Sequence, residues 1–312
     1  MRTATIGNLE VSVIGLGCNN FGRALDAAGS AVVVNAALDA GMNFFDTASN
    51  YGGGQSESFL GAALGSRRSE AIIGTKFGMP VPGIEGSGGA RPEYVRESLK
   101  RSLSELSTDY IDLFQLHYPD PDTPIGETLG AMSGLVREGK VRQIGCSNLS
   151  TTQLAEALAV SHDLGLAAFV SNQVEYSMVH RDLETDGLSD LCGARGVALL
   201  PFYPLASGLL TGKTQRGTVL HGRLAMDRYQ RFLTDENFDL VDRLAGYALE
   251  RNISLVQVAL GWLLSHEAVP SVTAGATKPE QVMSNAQAAA WTPSVSDLSA
   301  LHEVLSGPAR RD

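Results

Sequence analysis

Ile111-Asp112-Leu113-Phe114-Gln115-Leu116-His117 is a short apolar run that closes on a titratable residue, and two earlier stretches share the pattern. Asn43-Phe44-Phe45-Asp46 closes on a carboxylate with Tyr51 five residues further on, and Ala71-Ile72-Ile73-Gly74-Thr75-Lys76 closes on an ammonium. Runs of this kind, bounded by turn residues, read as buried strands. Working outward, similar runs lie at 11–17, 142–148, 169–175, 197–203 and 269–275, which makes eight in all. Helical patterns fill the intervals. Ala31 to Ala40 ends at Gly41, a good C-terminal stop, and Pro92 opens a helix through Leu106. Ser150-Thr151-Thr152-Gln153 and Thr277-Lys278-Pro279-Glu280 each fit a capping box. Asp235 or Glu236 leads into a helix to about Arg251, and another follows through Leu264.

Strand and helix alternating eight times call for parallel strands with helical crossovers, which close naturally into an α/β (β/α)8 TIM barrel. The rival is an open doubly wound sheet with a glycine fingerprint after its first strand. Gly15-Leu16-Gly17-Cys18-Asn19-Asn20-Phe21-Gly22 misses that spacing, because Asn20 stands where the third glycine belongs. Residues 2–12, with a turn at Gly7-Asn8, predict an N-terminal β-hairpin capping the barrel bottom. The stretches Gly78–Gly89 and Ala206–Asp235 predict extended βα loops over the mouth. The whole chain, 1–312, reads as a single barrel domain.

Composition narrows the function. The 312 residues are 44% hydrophobic, enough for a large core, and the formal net charge is −10. Bulk electrostatics therefore argue against nucleic acid or an acidic membrane as partner. No apolar run approaches a membrane span, and the N-terminus opens no signal-peptide core. Cys18, Cys146 and Cys192 lack CxxC spacing and read as reduced thiols of a cytoplasmic protein. The six histidines form no HxH or HExxH cluster, so no metal site is expected. Nothing in the sequence signals an oligomeric state.

In a barrel the carboxyl ends of the strands converge on one face. Asp46, Lys76 and His117 would meet there, with Tyr51 reaching back from its loop. A free phenol is a poor acid at neutral pH, and the Lys76 ammonium would lower its pKa. Asp46 would keep that buried lysine protonated, and His117 would orient a carbonyl oxygen. No side chain donates hydride, so a redox role needs a cofactor. Ser147-Asn148 and Gln173 suit a carboxamide, and Phe202 offers a flat face. The backbone after it, Tyr203-Pro204-Leu205-Ala206-Ser207-Gly208-Leu209, could wrap a pyrophosphate, and Gly275-Ala276-Thr277-Lys278 opens a helix as an anion site. Each set also has a plain reading: an Asp–Lys salt bridge, a turn, a core aromatic.

The chain resembles the aldo-keto reductases over nearly its full length. The resemblance is carried by Gly15-Leu16-Gly17, by Asn43 to Ala48 with Tyr51-Gly52, and by Gly74-Thr75-Lys76-Phe77-Gly78. It continues through Asp109 to Leu113 with Leu116-His117, Gly139 to Asn148, Asn172 to Tyr176, Gly208 to Lys213, and Gly275 to Val282 with Asn285. It implies a barrel that binds NADP(H), with NAD(H) possible. It implies the tetrad Asp46, Tyr51, Lys76 and His117, with Tyr51 as proton donor to a small-molecule carbonyl substrate. Cofactor contacts would fall to Gly17, Cys18, Asn19, Ser147, Asn148, Gln173, Phe202, Tyr203, Pro204, Leu205, Ser207, Gly208, Lys213, Gly275, Thr277, Lys278, Gln281 and Asn285. Many members carry an arginine near position 281 for the 2′-phosphate. Here it is Gln281, which leaves Lys278 with Arg228 or Arg231. The Gly208–Lys213 and Gly275–Gln281 stretches look more like the bacterial and potassium-channel-β-like branches than the steroid-reducing ones. Two other readings stay open: a cofactor-loaded regulatory subunit with little turnover, and a Schiff-base aldolase using Lys76. Substrate choice would rest on Asn19, Asn20, Phe21 and the two long loops, with the asparagine pair hinting at a polar substrate. Trp262 and Trp291 read as packing.

Overall fold

The computed structural model describes residues 1–307; residues 308–312, the end of the expected domain, lie outside the described residues. Ten strands are present among the described residues: β1 Thr3–Ile6, β2 Leu9–Ser12, β3 Ile14–Gly17, β4 Phe44–Asp46, β5 Ile72–Phe77, β6 Ile111–Leu116, β7 Val141–Ser147, β8 Ser171–Glu175, β9 Ala198–Phe202 and β10 Val272–Gly275. Between and after them lie α1 Ala27–Asp39, α2 Ser56–Leu64, α3 Pro92–Glu105, α4 Ile125–Arg137, α5 Thr151–Asp163, α6 Leu188–Arg195, α7 Asp235–Glu250, α8 Leu255–Leu263, α9 Pro279–Ala288 and α10 Val295–Leu305. β3 to β10 form one parallel sheet in the order β10-β3-β4-β5-β6-β7-β8-β9. Its two ends meet where the Thr273 hydroxyl reaches the Pro201 carbonyl at 3.5 Å, so the sheet curls into the expected (β/α)8 barrel.

Alternation sorts each strand into an inner and an outer face. Phe45, Ile73, Phe114 and Leu116 point outward into the core shared with the helices. Phe44, Leu113 and Leu200 point inward and pack with Ile6, Leu9 and Val11 of the hairpin, in a separate cluster. β1 and β2 pair antiparallel from Thr3 opposite Ser12 to Ile6 opposite Leu9, so the predicted hairpin plugs the barrel bottom.

Three local readings are corrected. The run 11–17 is two strands broken at Val13, because residues through Ser12 pair in the hairpin while Ile14 joins the barrel. The last barrel strand begins at Val272, not 269. The capping box at Thr277–Glu280 does not form: the N-cap of α9 is Lys278 without a side-chain cap. Instead the Gln281 side-chain oxygen Oε1 accepts from the Thr277 backbone amide at 2.6 Å and from its hydroxyl at 3.1 Å. The boxes at Ser150 and Gln153, and at Ser254 and Gln257, do form. Trp262 packs against Tyr176 at 5.3 Å between ring centroids, and Trp291 lies over Gly261, so both tryptophans are packing residues.

Candidate active site

The stagger of the parallel strands explains why distant residues meet. Asp46 pairs with Gly74, and Lys76 lies two residues further along the same face of β5. Lys76 in turn pairs with Gln115, and His117 lies two residues beyond it. Each step around the barrel thus moves one inward-facing position toward the carboxyl ends of the strands, and the three side chains open on the same mouth.

There the Lys76 ammonium, fully buried, donates to Asp46 Oδ1 at 2.7 Å and to the Thr47 carbonyl at 2.8 Å. It sits 5.1 Å from the Tyr51 ring centroid, and that ring meets the His117 ring edge-on at 5.8 Å. Tyr51 opens a 3₁₀ turn, Tyr51–Gly54, in which Gly52, Gly53 and Gly54 all have positive φ. A side chain at Gly52 would strike the Phe21 carbonyl, so only glycine lets this turn press against the loop after β3.

The electrostatics differ from expectation in one respect. Lys76 does act to lower the Tyr51 pKa, but burial outweighs it and the phenol stands above its ordinary value. Burial opposes the charge on Lys76, yet Asp46 and Tyr51 more than compensate and raise its pKa, so the amine stays protonated. Burial, helped by Lys76, pushes His117 down to about 3. The imidazole is therefore neutral at physiological pH, and its Nδ1 is a buried atom without a hydrogen-bond partner. A protonated phenol, a fixed ammonium and a neutral imidazole can deliver a proton and a hydrogen bond to one oxygen.

The later strands bring amide groups to the same mouth. Gln173 Nε2 donates to Asp46 Oδ1 at 3.1 Å, which ties β8 to the tetrad across the barrel. Ser147 Oγ donates to the Gln173 carbonyl at 2.8 Å, and Asn148 Nδ2 donates to the His117 carbonyl at 2.9 Å. The side-chain oxygens of Asn148 and Gln173 are left as acceptors. Phe202 ends β9, half-buried, with Tyr203 edge-on to it at 5.1 Å. The loop that follows is unusual: Tyr203, Ala206 and Ser207 adopt positive φ without being glycine, and Gly208 continues the run. Left-handed non-glycine residues are costly, and within the loop the Ala206 and Gly208 amides donate to the Tyr203 and Leu205 carbonyls, each at 2.8 Å. Pro204 is buried and Leu205 half-buried in that loop, and the Ser207 hydroxyl is buried without a partner.

At the strand ends on the other flank, Gly17 pairs with Gly275, Cys18 is buried, and Asn285 is buried on α9. Lys213 and Lys278 are exposed and Thr277 is half-buried. The side-chain oxygens of the Asn19–Asn20 pair, which the sequence suggested for a polar substrate, are already engaged within the chain. Arg223, from the 3₁₀ turn Gly222–Ala225, donates to the side-chain oxygens of both, at 2.9 Å to Asn20, while Asn20 Nδ2 donates to the Ala276 carbonyl at 3.2 Å. Arg231 is likewise engaged, with Glu175 at 2.7 Å, and Arg228 stacks 4.7 Å from the Tyr229 ring.

Sequence reasoning missed Arg223, the Thr47 carbonyl and the Asp46–Gln173 bond. It also missed Tyr118, whose half-exposed ring stacks on His117 at 5.4 Å. Only the neighbour of a strand-end histidine could have pointed to Tyr118. The other three depend on contacts between residues far apart in sequence.

Comparison with known proteins identifies the family of this barrel. The family model described as "Aldo/keto reductase family" matches residues 13–306, and the chain belongs to that family. It is 35% identical to a probable voltage-gated potassium channel subunit beta of Oryza sativa subsp. japonica, over 90% of this chain and 88% of that protein. It is 34% identical to the L-glyceraldehyde 3-phosphate reductase of Escherichia coli O157:H7, over 90% and 84% respectively. Identity to a probable aldo-keto reductase 1 of Glycine max is 33%, over 95% of this chain and 86% of that protein.

Proposed function

We propose that this chain is an NADPH-dependent carbonyl reductase, in which Tyr51 protonates the carbonyl oxygen of a small aldehyde or ketone. The observation that carries this is the buried Asp46–Lys76 pair beside Tyr51 and a neutral His117. When bound, the nicotinamide supplies the hydride. His117 donates a hydrogen bond to the substrate oxygen and holds it beside the phenol. Tyr51 passes its proton to that oxygen as charge develops there, and the Lys76 ammonium stabilises the phenolate left behind. Asp46 keeps the ammonium charged in the dry site. The same pair weakens the aldolase reading, since a Schiff base needs a neutral amine and Asp46 and Tyr51 hold this one protonated.

The chain's groups fit a dinucleotide. The Asn148 and Gln173 oxygens would take a carboxamide, with Ser147 holding Gln173 in place, and Phe202 would stack on the ring. The loop 203–208 and the unpartnered Ser207 hydroxyl would receive the pyrophosphate, with Arg223 beside Gly275 as a further cation. Gly17, Cys18 and Asn19 would line the same groove, with Lys213 at its edge. Thr277, Lys278, Gln281 and Asn285 would hold the adenosine end. With the Gln281 oxygen bound to Thr277 and Arg231 tied to Glu175, Lys278 is the group best placed for a 2′-phosphate; NADH binding remains the second option. A single domain spanning the chain and a cytoplasmic location complete the reading; three buried free thiols suit a reducing compartment.

The test is steady-state NADPH oxidation with an aldehyde panel that includes L-glyceraldehyde 3-phosphate, the compound in one relative's name. Tyr51→Phe should lower kcat about 10²–10⁴-fold with cofactor affinity unchanged. Unaltered turnover in that variant would overturn the assignment. A cofactor-loaded subunit with little turnover draws support from the relatives named as channel subunits. It would show tight NADPH binding with no oxidation across the panel.

A further inference from the structure

The first turn of α2 carries polar groups that the proposed chemistry does not use. Ser56 is fully buried; its hydroxyl lies 2.8 Å from Thr47 Oγ1 and donates to the Cys18 carbonyl at 3.0 Å. Glu57, 1% exposed, accepts from Thr75 Oγ1 at 2.6 Å. Thr75 faces outward on β5, away from the barrel interior, immediately before Lys76. Thr47 immediately follows Asp46, and its carbonyl is one of the two acceptors that hold the Lys76 ammonium. The helix bearing Ser56 and Glu57 begins directly after the turn that opens with Tyr51. One dipeptide thus touches the ends of β3, β4 and β5 and follows the loop bearing the phenol. The other Glu57 oxygen has no hydrogen-bond partner, with Ser102, Arg101 and Glu105 of α3 nearby. Burial raises the pKa of this carboxyl, with the Thr75 and Ser102 hydroxyls opposing the shift.

We propose that Ser56 and Glu57 are positioning residues for the reductase site: from behind the barrel wall they fix the spacing of β4 and β5, and so the placement of Asp46 and Lys76 against Tyr51. The inference rests on the reductase reading. It requires no contact with substrate or cofactor. A displacement of about 1 Å in such a constellation costs up to about 10²-fold in rate.

The test compares Glu57→Ala, Glu57→Gln and Leu60→Ala, the last truncating a core residue of the same helix. Each variant is assayed for kcat, KM, NADPH dissociation constant, melting temperature and the Tyr51 phenol titration, read by ¹³Cζ-tyrosine NMR and assigned by difference from Tyr51→Phe. Glu57→Ala should lower kcat roughly tenfold or more, with KM and the NADPH constant within about twofold, and should shift the Tyr51 titration upward as Lys76 loosens. Glu57→Gln, which keeps the acceptor for Thr75, should recover kcat to within about threefold of wild type. Leu60→Ala should lose melting temperature without moving the titration. The inference is overturned if Glu57→Ala leaves kcat and the titration unchanged, if Glu57→Gln does not recover them, or if Leu60→Ala shifts them equally. A wild-type protein without turnover would sink the reductase reading instead, while the titration still reports on positioning. If Glu57→Ala does not fold, Thr75→Val, which removes the same hydrogen bond from the other side, takes its place with the same outcomes expected.

Discussion

At the scale of the residue, Lys76 is the most exposed to physical argument. It is a fully buried charge whose cost is met by one carboxylate and one carbonyl. Removing one partner of such a pair strands the other in a dry site, which costs about 3–5 kcal/mol. Lys76→Met should therefore lower unfolding free energy by that amount in urea titrations, besides abolishing turnover. Lys76→Met combined with Asp46→Asn should recover most of the loss, because no uncompensated charge remains. A single-variant loss below about 1 kcal/mol would show the pair to be solvated rather than buried. The comparison with Asp112 is instructive. It lies in the same run as His117 but five positions earlier, hence on the outer face, where Arg68 and Arg142 hold it at 2.9 and 2.8 Å. One run thus carries a structural charge and a candidate catalytic group, and strand alternation separates them.

At the scale of the element, the 3₁₀ turn Tyr51–Gly54 aims the phenol. Gly52 and Gly53 both have positive φ, at 59° and 69°, so an alanine at either is strained by about 1 kcal/mol or more. They differ in surroundings. A Cβ at Gly52 meets the Phe21 carbonyl, whereas one at Gly53 meets nothing within 4 Å. Gly53→Ala should lower stability modestly and leave kcat within about twofold. Gly52→Ala must push the turn away from β3 and should lower kcat roughly tenfold or more through displacement of Tyr51. Paired kcat and melting measurements check this, and equal kcat values for the two variants would contradict it.

At the scale of the whole molecule, stability should respond to pH through two buried groups of opposite sign. His117 is neutral in the fold down to about 3 but ordinary when unfolded, so the unfolded chain binds the extra proton and stability falls as pH drops below about 6.5. Glu57 is raised by burial to about 7, so the folded chain keeps a proton that the unfolded chain releases near 4.5, and stability falls as pH rises through that window. Between about pH 4.5 and 6.5 the two slopes oppose each other, which flattens the profile. Glu57→Gln removes one of them. Its unfolding free energy should then rise with pH across that window by about 3 kcal/mol relative to wild type, measured by urea titration at several pH values. Parallel profiles for the two proteins would mean that Glu57 is ionised in the fold throughout. Glu105, which also faces this carboxyl, is itself raised by burial and adds a slope of the same sign to both proteins, so it drops out of the comparison.

The alternation of short apolar runs with helical patterns was sufficient to predict the barrel, its bottom hairpin and the four residues at its mouth. Those signals are local: period-two burial, a titratable residue closing each run, glycine and proline at the boundaries. Resemblance in ordered motifs named the family, and the family match shows that membership. What the tertiary structure alone decided are the quantities set by stagger and burial. The register of Asp46 with Gly74, and of Lys76 with Gln115, brings Asp46, Lys76 and His117 to one mouth. Burial, rather than the neighbouring ammonium, determines the direction of the Tyr51 shift. The asparagine pair turned out to be held by an arginine from a loop some two hundred residues away in sequence, and Ser56 and Glu57 to lie behind the site. Such facts depend on which chains of atoms exclude water together, and no pattern confined to neighbouring residues encodes that.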